Sequence, residues 1–408
     1  MGDLFQGNPS LWQANQLILG NYRDMTKSFH PFFLCFPCLL FLVLSSQGAF
    51  AVEHDCVKAS RLVREGVALG DGSEQEEKFY RTALLYCPTM AEAHHNIGIV
   101  LSKRGDSDGA LRAFEDAVKF KDDPEFRIAI AGLQFQKGQL EEAQKQYDLV
   151  LASNPQHVGA LLGLSVVHEK RNNLDKAMEL VHTALSIAPS DVTARFNMAV
   201  IYEKKQMYDE ALAEYERVTE LDPSHFDSWF YLGILQQKRG QFGKAEKALG
   251  SAAQIRPESA RVHKALGVIR EKLGDFDGAE QALERAVAAD PDDTSSRINL
   301  AVVLIRKKSE SRAVDVLSLV LQKNPNDARA LSVLGWAQLQ LGEYDQSEKS
   351  LRRALELDKL NATAHNNLGV LYQRTGREKE AEEEFKAAAR QDPSLSVAQE
   401  NMKRFATQ

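Results

Sequence analysis

Residues 229–257 read WFYLGILQQKRGQFGKAEKALGSAAQIRP. The stretch opens on an aromatic, Trp229, and a Leu232-Gly233 pair. Gly240 interrupts the helical pattern, Ala245 and Ala252 stand at apolar positions, and Pro257 ends the segment. Thirty-four residues later the pattern returns as Leu266-Gly267, Gly274, Ala279, Ala286 and Pro291. Self-similarity at a fixed period of this length means stacked repeats, because one such unit cannot bury its apolar face alone. A solenoid follows, and an enzyme built round one central pocket does not.

Extended in both directions, the units begin near 57, 91, 124 or 125, 158, 192, 226, 260, 294, 328 and 362. They close on Pro88, Pro155, Pro189, Pro223, Pro257, Pro291, Pro325 and Pro393, with Asp122 and Lys359 in the two remaining places. The second segment carries a small residue at Ala110, Ala143, Ala177, Ala211, Ala245, Ala279, Ala313, Ser347 and Ala381. Their spacing is 34 except between Ala110 and Ala143, where it is 33. Gly132 to Gly138 is also one residue shorter than Gly98 to Gly105, which places a deletion in or just after the first helix of that unit.

Each unit holds two apolar-periodic segments separated by a short turn, the pattern of an antiparallel helix pair. In the unit at 226 the first helix is predicted over Phe226 to Lys238 and the second over Phe242 to Ile255. Gly105, Gly138, Gly240, Gly274, Gly342 and Gly376 fall where a helix C-terminus needs a left-handed residue. Asp106, Asp209 and Asp275 fall at or near the next helix start, where a carboxylate suits the dipole. Gly98, Gly132, Gly233, Gly267, Gly335 and Gly369 fall inside a helix, where glycine costs about 1 kcal/mol against alanine, so close packing is the expected compensation.

Fifty-seven acidic and 50 basic residues give a net charge of -7, with both signs interspersed. Nucleic-acid binding would call for a basic stripe, and none is present. The N-terminal text differs from the rest. From Met25 it runs through Lys27, an apolar run from Pro31 to Leu44, and SSQGAFA, with Ala49 and Ala51 at small-residue positions. That is the three-part order of a secretory signal peptide, with cleavage before Val52 and Met25 as an alternative start. The run is about 14 residues against the roughly 20 that a membrane-spanning helix needs, so no stable span is expected in the mature chain.

Of the four cysteines, Cys35 and Cys38 lie in that run. Cys56 starts the first helix after it and Cys87 ends the helix that folds back, which makes the two neighbours in an antiparallel pair. A disulfide there suits an oxidising compartment. Two reduced cysteines acting as small hydrophobes are the other reading.

The repeating set Trp229, Leu232, Gly233, Gly240, Phe242, Ala245, Ala252 and Pro257 resembles the tetratricopeptide family, over Val57 to Ser394. The resemblance implies an all-α, right-handed superhelical solenoid of antiparallel helix pairs, first helices lining a concave groove. The expected organisation is 1–51 upstream segment and signal peptide, 52–90 a degenerate repeat or cap, 91–395 nine units, and 396–408 a capping helix, with Met402 and Phe405 covering the last pair. First-helix positions that face the groove in this family give Val166, Phe196, Val200, Phe230, Ile234, Lys264, Val268, Val302, Trp336, Asn366 and Val370 as candidate binding residues. An apolar strip with a polar rim suits a peptide or a helix. Packing against neighbouring helices is the plainer reading of the same residues. The carboxylate clamp of chaperone-binding members looks absent, since Val166, Val200 and Val268 hold its asparagine position, and a ladder of inner asparagines (Asn96, Asn197, Asn299, Asn367) is interrupted.

No HExxH, P-loop or dinucleotide fingerprint occurs, so no catalytic residue, cofactor or metal is expected. His263 and His365 share a repeat position with His94 and Trp229, which reads as inter-helix packing. The expected function is a non-catalytic protein- or peptide-binding scaffold, exported to the periplasm or outer face of a bacterial cell envelope. The alternative is a structural subunit or assembly factor of an envelope, secretion or polysaccharide-export machine.

Overall fold

Every apolar-periodic segment of the repeat folds as an α-helix, and the helices pair as the spacing requires. The computed structural model describes residues 46–406, with side chains from 56 to 403. The upstream segment and all but the last six residues of the expected signal peptide lie outside the described residues, as does the side chain of Phe405. The chain divides between Pro223 and Ser224 into two units. In the first, α1 (Ser46–Leu69) pairs with α2 (Glu74–Tyr86), α3 (Ala91–Lys103) with α4 (Ser107–Phe120), α5 (Pro124–Gln136) with α6 (Leu140–Ser153), α7 (Val158–Lys170) with α8 (Leu174–Ile187), and α9 (Val192–Lys204) with α10 (Tyr208–Leu221). In the second, α11 (Phe226–Lys238) pairs with α12 (Phe242–Ile255), α13 (Ala260–Leu273) with α14 (Phe276–Ala289), α15 (Thr294–Arg306) with α16 (Glu310–Lys323), α17 (Ala328–Leu341) with α18 (Tyr344–Leu357), and α19 (Ala362–Arg374) with α20 (Glu378–Gln391). The last helix, α21 (Ser396–Ala406), packs on α20, and Met402 packs against the core of that last pair.

The two helix types bury different amounts of their surface. α7 hides Ala160, Leu161, Leu162, Leu164, Ser165 and Val167, residues spread right round its axis, because it lies between α6 of the preceding pair and its own partner α8. α8 hides one stripe, Ala177, Leu180, Val181 and Ala184, and turns its charged side outward. The small residues of the second helices, from Ala110 to Ala381, are fully buried. Ser347 takes that place once, and its hydroxyl donates to the Gly335 carbonyl at 2.7 Å, so no polar atom is stranded.

The in-helix glycines sit at close approaches. A Cβ on Gly98 would come within 2.5 Å of the Phe114 ring, and one on Gly233 within 2.6 Å of Leu249. The deletion expected in or after the first helix of its unit lies ahead of it. The turn Lys121–Asp123 has three residues where the turn Asn154–His157 has four, and α5 keeps the thirteen residues of α3 and α7. Pro124 starts α5, a position where its missing N–H costs nothing, and Asp123 caps it. The true counterpart of Gly98 is therefore the fully buried Ala131, one residue before Gly132.

Candidate functional site

Within each unit successive first helices touch, α5 to α7 to α9 and α11 through α13, α15 and α17 to α19. Equivalent side chains therefore stand side by side along one face. Val166 and Val200 in the first unit, and Ile234, Val268, Val302, Trp336 and Val370 in the second, recur every 34 residues and are all half-buried. A half-buried aliphatic column leaves apolar edge in water that a partner can cover.

The second expected column is different. Phe196, Phe230 and Asn366 are buried, at 6%, 9% and 7% exposure, so they are packing residues and not contact surface. Arg261 of the next first helix covers Phe230, its guanidinium 4.5 Å from the ring centre, and Asn401 of α21 donates to the Asn366 side chain at 2.9 Å. Phe230 is covered by the following repeat and Asn366 by the C-terminal helix, which their own helices do not reveal, and Phe196 packs on Tyr215 of its own pair, ring centres 5.8 Å apart. Lys264 is half-buried and pairs with Asp293 at 3.0 Å. Burial works to raise the Asp293 pKa, but hydrogen bonds from Ser296 and Lys264 hold it below the usual carboxylate range. Of the inner asparagines, Asn197 and Asn367 are buried and Asn299 accepts from Arg329.

Ion pairs knit this face. Arg261 donates to the buried Asp227, Lys204 pairs with Glu169, and Lys272 pairs with Glu271. Trp336 replaces the aliphatic residue of its column and lies under Arg306, whose guanidinium is 5.6 Å from the ring centre. Across the turns on the other side, Lys137–Asp108, Arg171–Glu141, Lys205–Asp175 and Lys307–Asp277 join four of the pairs to the one before. Where Leu273 and Leu341 take the cation's place, Gly243 and Ser311 stand at the matching upstream positions, so no carboxylate loses its partner there.

The repeat histidines do local work that periodicity alone did not reveal. Side chains at this position reach back six residues to the turn carbonyl: His94 to Pro88 at 3.0 Å, His263 to Pro257 at 2.6 Å, and Arg195 and Arg297 likewise to Pro189 and Pro291. A carbonyl only accepts, so the histidine Nε2 carries the proton. His365 donates to the Lys359 carbonyl through Nε2 and faces the Glu384 carboxylate through Nδ1 at 2.5 Å, and that hydrogen bond raises its pKa. His95 is the opposite case. It is buried with ring centres 5.3 Å from Phe114 and 4.6 Å from Phe126, and burial pushes its pKa down to about 4.

Cys56 and Cys87 are joined by a disulfide, Cα to Cα 4.9 Å, which ties α1 to the end of α2 beside the buried Ala59, Ala83 and Ala93. Among the described residues no cluster of three or more histidine, cysteine, aspartate or glutamate side chains has a metal-holding arrangement. No helix among them is long and apolar enough to cross a membrane.

Compared with known proteins, the chain matches the family described as the Cilia and flagella-associated protein 70 C-terminal domain over residues 68–330 and again, in an overlapping placement, over 173–405. No curated protein matches it. Among solved structures it is similar to pilF of Pseudomonas aeruginosa, at 15% identity over 51% of this chain and 95% of that one with a TM-score of 0.46. It is also similar to a tetratricopeptide repeat protein from Parabacteroides merdae, at 18% identity over 61% and 98% with a TM-score of 0.43. Yeast Tom70 is similar at 15% identity over 78% and 88%, with a TM-score of 0.42.

Proposed function

The chain belongs to the family described as the Cilia and flagella-associated protein 70 C-terminal domain, a tetratricopeptide-type array, and from that premise we propose that it is a non-catalytic scaffold holding a protein segment against its first-helix face. The observation that carries this is the half-buried column Ile234, Val268, Val302, Trp336 and Val370 in the second unit. Four aliphatic residues and one indole at a fixed period give a ribbon of apolar edge, and toward its start the cations beside it are paired with carboxylates. Such a surface gains from covering by apolar side chains and needs no chemistry of its own.

The test is capture of partners from a native extract by the full chain and by its Ile234→Asp/Val268→Asp variant. A carboxylate in the middle of the strip should cut retention at least tenfold, since burying an unpaired charge costs several kcal/mol. Retention of the same partners by the variant would move the binding surface to the second-helix side. That result would favour the alternative, a structural subunit or assembly factor of an envelope, secretion or polysaccharide-export machine.

Export belongs to the same proposal. It is supported by the composition of residues 25–51 and by the Cys56–Cys87 disulfide, a bond rare in reducing compartments. Placement at a bacterial envelope is proposed from the compact apolar run and from the resemblance to exported bacterial members of the tetratricopeptide family. N-terminal sequencing of the mature protein decides cleavage: a start at Val52 is expected, and one at Met1 or Met25 would overturn it.

A further inference from the structure

The inner face of the second unit is not electrically uniform. Toward its start the cations have carboxylate partners: Arg261 with Asp227, Lys264 with Asp293, Lys272 with Glu271. Toward its end three guanidiniums have only neutral ones. Arg306 lies over the Trp336 ring, Arg329 donates to the Asn299 amide oxygen at 2.5 Å, and Arg374 donates to the Gln340 amide oxygen and the Leu339 carbonyl, each at 3.2 Å. All three arginines are exposed. In a chain of net charge -7, whose cations are elsewhere so often matched, this concentration of unmatched positive charge is local.

Geometry gathers the three round one ring. Trp336 and Arg329 are seven residues apart on α17, which puts them on one face about 10 Å apart along the axis. Arg306 reaches Trp336 from α15 on one side. Arg374 comes from α19 on the other, and its contact Gln340 lies one turn beyond Trp336. A half-buried apolar plate is thereby flanked along α17 by positive charge in both directions.

We infer that this Trp336 patch docks an acidic segment of a partner protein, an apolar side chain over the indole with carboxylates about three residues to either side in extended chain. Guanidinium is the group suited to such recognition, because its planar fork takes a carboxylate through two parallel hydrogen bonds. The neutral amides now holding Arg329 and Arg374 keep the forks positioned, and a partner carboxylate adds a charge-assisted bond without breaking an ion pair. Single-stranded nucleic acid fits less well. Its bases need successive aromatic platforms, and the neighbouring column positions are Val268, Val302 and Val370. The inference rests on the groove-binding reading and adds charge to it.

The experiment is selection of a random-peptide display library on the immobilised full chain and on its Arg306→Gln/Arg329→Gln/Arg374→Gln variant. Circular dichroism confirms that the variant folds, and the single Arg329→Gln chain serves as a milder control. The expected result is peptides with Asp or Glu flanking an apolar residue from the parent chain, and apolar peptides without that acidic bias from the triple variant. The best parent peptide, remade with Gln for Glu, should bind at least about tenfold more weakly. Failure of the parent chain to select any peptide would sink the groove reading itself. Apolar or basic peptides from the parent, an acidic bias that survives the triple substitution, or displacement of the peptide by a single-stranded oligonucleotide would overturn this inference and leave the groove reading standing.

Discussion

Lys308 holds a backbone conformation that six of its repeat equivalents leave to glycine. Its φ is +59°, and Asn172 and Gln206, also one period apart, stand at +61°. A non-glycine residue in the left-handed region costs about 1–2 kcal/mol, less for asparagine, whose short polar side chain tolerates it. Lys308→Gly and Gln206→Gly are therefore expected to stabilise the chain by about 0.5–1 kcal/mol each, and Asn172→Gly by close to nothing. Urea midpoints at unchanged slope would check this, and an equal gain at all three sites would contradict the argument. The histidines give predictions of opposite sign. His95 has a folded pKa of about 4 against an ordinary 6.5, so between those values the unfolded chain carries a proton the folded chain lacks. Stability contributed at this site falls as pH drops through that window, by a total of about 3 kcal/mol. His95→Phe should flatten the acid side of the melting-temperature profile. The His365 pKa is raised through Glu384, so its contribution is complete below 6.5 and fades as pH rises through the folded value. His365→Gln should cost more stability at pH 6 than at pH 9, and an unchanged cost would remove the ion pair from the account.

At the scale of the element, glycine in a helix separates intrinsic preference from packing. A Cβ on Gly233 would sit 2.6 Å from Leu249 and 3.2 Å from the Ala245 carbonyl oxygen, and Leu249 is fully buried with no room to retreat. Gly250, in α12, would meet nothing within 4 Å. Gly233→Ala is expected to destabilise by about 1–3 kcal/mol despite its better helix propensity, and Gly250→Ala to stabilise by about 0.5–1 kcal/mol. Chemical denaturation of the two variants tests both signs. The helices were legible in the sequence because each position is sampled once per period: α11 and α12 begin and end where Phe226, Lys238, Phe242 and Ile255 place them. The one-residue deletion was misread because Gly132 happens to stand beside the true counterpart, Ala131, and glycine alone aligned it. Part of the candidate face was legible for the same reason, in the column from Val166 to Val370. Phe230 and Asn366 were not, since what covers them belongs to the following repeat or to the C-terminal helix. Arg306 over Trp336 was equally hidden, because pattern locates a residue on its helix but not the neighbour it meets.

At the scale of the whole molecule, each pair packs chiefly on the pairs next to it within its unit, and stability in such an array is nearly a sum of repeat and nearest-neighbour terms. One covalent device breaks the additivity. Cys56 and Cys87 close a loop of sequence separation 31, which on loop-entropy grounds is worth about 3–4 kcal/mol. That contribution falls on the first pair, α1 and α2, whose core is the small cluster round Ala59, Ala83 and Ala93. Reduction should therefore unfasten the N-terminal end before anything else. Hydrogen exchange of the full chain with and without reductant is expected to show lost protection over α1 and α2, a smaller loss over α3, and unchanged protection from α17 to α20. A Cys56→Ser/Cys87→Ser variant should reproduce that profile without reductant. Loss of protection spread evenly from α1 to α20 would mean that the array melts as one cooperative body, and the nearest-neighbour account would fail.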